Sequence, residues 1–180
     1  MSKKVLVIST SLRKQSNSEA LANAFAKGAS EAGHSVEIVS LRGKTIAFCQ
    51  GCFACLQKKQ CVIQDDAIDL VKKMHDAEVI VFATPIYYYE MSGQMKTLLD
   101  RANPLYDSDY AFQDIYLLTA AAENSAHTPE KAISGLMGWI DCFDRAKLAG
   151  TVFAGGVNGV GEIQGHAALE EAYAMGKKIK

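Results

Sequence analysis

Two stretches of the chain concentrate groups able to do chemistry. The first runs through Ser9, Thr10, Ser11, Arg13, Ser16, Asn17 and Ser18. It supplies hydroxyls, one amide and a fixed positive charge. It follows directly on Val5-Leu6-Val7-Ile8, an apolar and mostly β-branched run that reads as a strand buried on both faces. An apolar helical pattern begins at Leu21. A strand, a hydroxyl-rich loop and a helix N-terminus make an anion pocket, because the first helical N–H groups are free and the dipole presents its positive end. The glycines that a pyrophosphate or triphosphate loop needs are missing, so the donors suit a single terminal phosphate. Capping of the helix by Ser16 or Asn17 is the simpler use of the same residues; the density of donors favours the anion site.

The second stretch holds Cys49, Cys52, Cys55 and Cys61, four of the five cysteines within thirteen residues, spaced C-x-x-C-x-x-C-x5-C. Three thiols at this interval resemble ferredoxin-type ligands, and an iron–sulfur cluster held by four thiolates is chemically feasible. A structural zinc site fits less well, since its pairs are separated by a longer loop. The segment could equally be a loop of reduced thiols, with Phe48, Phe53 and Leu56 packing and Lys58 and Lys59 facing water. Both uses stay open. Cys142 falls on an apolar helical pattern and reads as core.

The elements that must position these groups alternate along the chain. Helix is expected from Ser18 to Glu31, strand from Ser35 to Leu41, helix after Asp65 and Asp66, strand from Glu78 to Ala83 and helix from Ser92 to Ala102. Strand follows at Ile115 to Thr119, helix at Pro129 to Phe143, strand at Leu148 to Ala154 and helix at Ile163 to Ile179. Such alternation builds βαβ units on a parallel sheet. The expected fold is α/β, a doubly wound five-stranded parallel sheet in the order 2-1-3-4-5, with the ligand in the crevice between the first and third strands. Residues 42–64 break the rhythm. His127 and His166 read as surface groups, and Trp139 as packing.

Length and composition set bounds. The 180 residues suggest one domain, 1–180. A formal net charge of -1 gives no electrostatic case for nucleic acid or an anionic membrane. No apolar stretch has the length of a membrane span, and no leader pattern opens the chain, so a cytoplasmic protein with reduced cysteines is expected.

The pattern S-x-S-x-R-x-x-S-N-S from Ser9 to Ser18 resembles that of the flavodoxin-like NAD(P)H-dependent FMN reductases. The resemblance continues in Thr84-Pro85-Ile86-Tyr87 and in S-G-Q-x-K-x-L-L-D-R from Ser92 to Arg101. It implies that Ser9, Ser11, Arg13, Ser16, Asn17 and Ser18 hold the phosphate of FMN. It implies also that Pro85, Ile86, Tyr87, Tyr88, Ala120 and Ala121 lie along the flavin ring, where alanine stands at positions that reductases of this group often give to glycine; a subunit interface is an equal use of Tyr88 and Tyr89. An aromatic loop with free amides matches a ring that is apolar at one end and polar along one edge. The Ser92–Arg101 helix would lie at a subunit interface, giving a homodimer or homotetramer. Lys96, Asp100 and Arg101 read as structural ion-pair residues.

By the same resemblance, NAD(P)H is the co-substrate and a quinone, flavin or similar small molecule the acceptor. Hydride transfer between stacked rings needs no protein acid or base, so no catalytic side chain is expected. The cysteine spacing is similar to that of the iron–sulfur flavoproteins, which implies Cys49, Cys52, Cys55 and Cys61 as possible [4Fe–4S] ligands. On that alternative the protein is an electron-transfer protein with FMN plus a cluster.

Overall fold

A computed structural model describes all 180 residues. In chain order the elements are β1 (Lys4–Ser9), α1 (Asn17–Glu31), β2 (Ser35–Ser40), α2 (Ala54–Lys58), α3 (Ala67–Asp76) and β3 (Val79–Tyr87). Then come β4 (Glu90–Met91), α4 (Gly93–Arg101), a 3-10 turn (Asn103–Leu105), β5 (Asp114–Ala120), α5 (Glu130–Ile140), β6 (Lys147–Ala154) and α6 (Ala167–Lys177).

Five strands pair in parallel in the order β2-β1-β3-β5-β6, the expected doubly wound arrangement. Alternation along each strand sends side chains to opposite faces. Val5 and Val7 of β1, Val79 and Val81 of β3, and Tyr116 and Leu118 of β5 pack under α1 and α6. Leu6, Ile8, Ile80, Phe82, Ile115 and Leu117 face α3, α4 and α5. Both faces are covered, so the central strands are apolar throughout rather than alternating. Trp139 belongs to this second layer, stacked on Phe112 at 5.8 Å and edge-on to Phe82 at 6.1 Å. No helix is long and apolar enough to cross a membrane.

The structure departs from expectation at three places. The third strand does not stop at Ala83: it continues to Tyr87 and turns back as β4, with Ile86 opposite Met91 and Tyr87 opposite Glu90. The two turn residues, Tyr88 and Tyr89, both have positive φ, 51° and 66°. A two-residue hairpin of this hand needs that geometry and normally recruits Asn or Gly, so the tyrosines hid the hairpin. Residues 42–64, read as irregular, contain the short helix α2. Cys142 is not core: it lies past the end of α5 and is exposed, its Sγ turned back to the Gly138 carbonyl at 3.6 Å, while the next residue, Phe143, takes the buried place.

Candidate functional site: an anion pocket with an aromatic wall, and a thiol-lined cavity

The carboxyl ends of β1, β3 and β5 open on a common crevice. One cavity of about 150 Å³ there is lined by Ser11, Arg13, Ser16, Asn17 and Ser18 from the first loop. Pro85, Ile86 and Tyr87 from the hairpin and Ala120, Ala121 and Ala122 from the end of β5 complete it, with Val157 and Asn158. Residues more than a hundred positions apart thus meet where the crossover direction reverses, the place where doubly wound sheets take ligands.

Ser16 is the N-cap of α1, and its Oγ accepts from the Glu19 N–H at 3.1 Å. That leaves the N–H groups of Asn17 and Ser18, the first two helical residues, with no intrahelical acceptor. Ser16 and Ser18 share a hydroxyl–hydroxyl bond of 3.3 Å, and the Ser11 Oγ accepts from the Arg13 N–H. Capping and anion binding are therefore not rivals at Ser16: one lone pair caps the helix while the O–H can donate, to Ser18 or to an anion.

Other donors are committed to protein. Asn17 donates through Nδ2 to the Gly159 carbonyl at 3.0 Å and accepts through Oδ1 from the Ile163 N–H. Arg13 donates through Nη1 to the Asn158 carbonyl at 2.6 Å. Both residues thus tie the glycine-rich 155–165 turn to the anion pocket. Glu162 closes that turn from inside, accepting from the Asn158 N–H at 2.7 Å; this bond and the Gly159 N–H hold its carboxyl below the usual range.

Two of the residues expected at the cofactor stand apart from the cavity. Ser9 is buried beneath it, the last residue of β1, and its Oγ has no hydrogen-bond partner. Tyr88 is 99% exposed, since the tip of the hairpin carries it away from its own chain. Tyr89 follows it in the turn; hydrogen bonding with Glu123 and that residue's charge raise its phenol pKa, and Lys131 lies over its ring at 5.7 Å.

Sequence reasoning missed the hydroxyl node beneath the site. Thr10, Thr84 and Ser92 are all fully buried. Thr10 Oγ1 lies 3.2 Å from the Ala83 carbonyl, to which it donates, and 3.0 Å from Ser92 Oγ. Thr84 Oγ1 bonds Ser92 Oγ and accepts from the Ser92 N–H, each at 3.1 Å. Ser92 Oγ also caps α4 by accepting from the Met95 N–H. One node thereby locks the first loop, the hairpin and the start of α4 together. The hydroxyls are visible in the sequence; that they converge is not.

The far end of α4 meets the cysteine segment. Cys49, Cys52, Cys55 and Cys61 line a second cavity of about 300 Å³, with Arg101 and Asn103 in its wall. Two sulfurs already accept N–H donors: Cys49 from the Gly51 amide at 3.5 Å and Cys55 from Asn103 Nδ2 at 3.0 Å. No three Cys, His, Asp or Glu side chains take up the geometry of a single metal ion. A cubane cluster asks something else of its protein, four thiolates spread around it, each on its own iron. Donor type, N–H bonds to sulfur and placement around one cavity fit that group better than a mononuclear zinc.

Arg101 is a structural ion-pair residue, as expected, though its partner lies far off in sequence. It forms a fork to Asp65, Nη1 to Oδ2 at 2.6 Å and Nη2 to Oδ1 at 2.9 Å, with its side chain wholly buried. It also donates to the Ala47 and Ile63 carbonyls, which flank the cysteines on either side. Asp65 in turn accepts from the Ala47 N–H at 2.8 Å. Burial pushes the Asp65 carboxyl up, but the Arg101 and backbone hydrogen bonds outweigh it and hold the pKa below the usual range. Lys96 and Asp100, by contrast, make an exposed i,i+4 pair with each other at 2.6 Å.

An open doubly wound sheet with an anion pocket and an aromatic hairpin at its switch point defines a flavodoxin-like protein. The chain belongs to the NADPH-dependent FMN reductase family, whose sequence model matches residues 3–155. An iron–sulfur flavoprotein of Archaeoglobus fulgidus is 31% identical over 179 residues, 98% of this chain and 78% of the relative. One from Methanosarcina thermophila is 29% identical over 175 residues, 96% of this chain and 87% of the relative. The fold superposes on an NAD(P)H:quinone oxidoreductase from Methanothermobacter marburgensis with a TM-score of 0.75 over the whole of both chains, at 17% identity. It also matches an FMN-dependent NADH-azoreductase of Bacillus anthracis, TM-score 0.69, covering 97% of this chain and 98% of that one at 14% identity.

Proposed function

We propose that the protein is an FMN-dependent oxidoreductase that takes hydride from NAD(P)H and passes electrons to a quinone, flavin or similar small acceptor. The observation that carries this reading is the single cavity shared by the donor-rich loop, the Pro85–Tyr87 hairpin and the end of β5. Its volume of about 150 Å³ is below the range of about 300–1,000 Å³ usual for small-molecule clefts. It is a shallow socket that joins the phosphate donors of the first loop to the hairpin and β5 residues that would face the ring. FMN, when bound, supplies the redox centre that accepts hydride from the nicotinamide and releases electrons to the acceptor.

The chain's own part is binding, orientation and exclusion of water. Ser11, Ser16, Ser18 and the free N–H groups of α1 hold the phosphate end, and Arg13 adds charge. Pro85 fixes the direction in which the hairpin leaves β3, Ile86 and Tyr87 support the ring, and the small side chains of Ala120 and Ala121 let backbone approach it. The fully exposed Tyr88 and the shallow socket support a homodimer or homotetramer in which a second copy covers the ring. Five unpaired thiols suit a reducing cytoplasm.

The second element of the reading is a [4Fe–4S] cluster on Cys49, Cys52, Cys55 and Cys61, supported by their common cavity and by the names of the curated relatives. Anaerobic purification followed by flavin, iron and sulfide analysis tests both elements. One FMN and about four irons per chain are expected, the irons lost in Cys52→Ser. Flavin without iron would leave a plain flavin reductase, and iron without flavin would overturn the main reading.

A further inference from the structure

Next to the anion pocket lies a larger cleft of about 810 Å³, within the range of about 300–1,000 Å³ usual for small-molecule sites. The thiol cavity shares no lining residue with the anion pocket, whereas this cleft shares Ser16 with it. The 155–165 turn lines both, with Val157 and Asn158 on the anion pocket and Val160 and Ile163 on the cleft. The bonds from Asn17 and Arg13 to that turn fix the shared wall in place. The groups in the cleft are those that recognise a nucleotide. Val160 is 53% exposed, an uncovered apolar surface for a flat base. Gln15, Asn23 and Gln164 add amides, which can both donate and accept. The charges are Lys14 and Arg42 against the one carboxylate of Glu19. Arg42 is engaged: its Nη2 lies 3.5 Å from Glu19 Oε1, and its Nη1 donates to the Arg13 carbonyl at 3.3 Å. Lys14 is exposed and pairs with no carboxylate. An ammonium with three donors and no partner suits a phosphate monoester.

We propose that this cleft takes the adenylyl half of the nicotinamide dinucleotide, with Lys14 meeting its 2′-phosphate, so that the protein uses NADPH in preference to NADH. This rests on the reading of the crevice as a flavin site reduced by a nicotinamide. A dinucleotide that reaches the flavin with its nicotinamide has its adenylyl half left to place, and the cleft adjoins the crevice at Ser16. The 2′-phosphate is the group that separates NADPH from NADH, and it carries about two negative charges near pH 7. With NADH, Lys14 stays in water and loses nothing. The preference therefore comes from an added attraction, not from a clash, and NADH remains a weaker substrate.

The test uses the full chain loaded with FMN, so that the anion pocket is filled. Calorimetry measures the binding of 2′,5′-ADP, which carries the 2′-phosphate, and of 5′-AMP, which does not. Binding of 2′,5′-ADP roughly tenfold tighter is expected, the value of one hydrogen bond to a charged group. That ratio should shrink as salt is raised, and NADPH should displace 2′,5′-ADP. In Lys14→Gln the preference should disappear, 2′,5′-ADP then binding like 5′-AMP, and the KM for NADPH should rise about tenfold toward that for NADH. Equal or undetectable binding of the two nucleotides, or a preference that survives Lys14→Gln, would overturn the proposal; flavin still bleached by NADPH and NADH would leave the oxidoreductase reading standing. Binding of 2′,5′-ADP to the FMN-free chain alone would put the phosphate in the anion pocket instead and overturn the proposal likewise. Flavin bleached by neither dinucleotide would overturn both.

Discussion

Replacing Ser92 with alanine should separate the two halves of the flavin site. The change removes the N-cap of α4, worth about 1 kcal/mol. It also removes the hydroxyl bonds to Thr10 at 3.0 Å and Thr84 at 3.1 Å. Neither threonine is orphaned: Thr10 keeps the Ala83 carbonyl, and Thr84 keeps the Pro85 carbonyl and the Ser92 N–H. The full desolvation penalty therefore does not apply, and each lost bond costs its net value of roughly 0.5–1.5 kcal/mol. The sum is about 2–4 kcal/mol, which for a chain of this size lowers Tm by roughly 4–16 °C. Urea and thermal unfolding measure it. A Thr10→Ala, Ser92→Ala double-mutant cycle should show coupling above about 0.5 kcal/mol. The binding consequence is more diagnostic. Ser92 anchors the hairpin and leaves the phosphate donors in place, so FMN and riboflavin should weaken by the same factor. Stability within about 0.5 kcal/mol of native, or a loss confined to FMN, would refute the node's role.

The opposite pattern is expected for Arg13→Ala with Ser16→Ala: FMN should weaken far more than riboflavin in fluorescence titrations, and equal weakening would sink the phosphate assignment. Gly176→Ala places a Cβ 2.1 Å from the Phe25 carbonyl oxygen and 3.0 Å from the Ala29 nitrogen. Both atoms are backbone, so α1 and α6 must part. An overpacking cost near 3 kcal/mol, less about 1 kcal/mol of helix propensity, leaves a loss of about 2 kcal/mol in urea unfolding. His75 lies between Asp76 at 2.8 Å and Asp109 at 2.9 Å; the bond to Asp76 raises its pKa, burial opposes, and Asp109 raises it further. A raised folded pKa gives stability that is complete below the unfolded value and is lost as pH rises through the folded one, so stability should decline from about pH 6.5 upward, and His75→Gln should flatten that slope.

What the sequence made legible follows from the reach of each signal. Apolar runs and helix caps are local, so the alternation of strands and helices could be read from residues near one another in the chain, while the sheet order came from the doubly wound arrangement that such alternation and the family resemblance imply. The anion pocket was legible because one loop carries most of its donors. Asn17 was read as a ligand group, yet both ends of its amide hold the 155–165 turn. That commitment depends on a segment nearly 150 residues away, and nothing in the first loop announces it. The Arg101–Asp65 fork spans 36 residues and crosses from helix to loop, beyond any helical or strand period. The hairpin was missed for another reason. Tyr88 and Tyr89 occupy left-handed positions that favour glycine or asparagine, so the local rule pointed away from the turn. Such backbone strain is expected where a binding surface must be held.

The central claim is that FMN sits in this crevice and takes hydride from a nicotinamide. Its most direct test is the absorption spectrum of the purified, FMN-loaded protein, recorded without air before and after titration with NADPH. Loss of the oxidised flavin bands at about one equivalent of NADPH per FMN, and their return when a quinone is added, is the expected result. A chain that binds no FMN, or bound flavin that neither NADPH nor NADH bleaches, would contradict it.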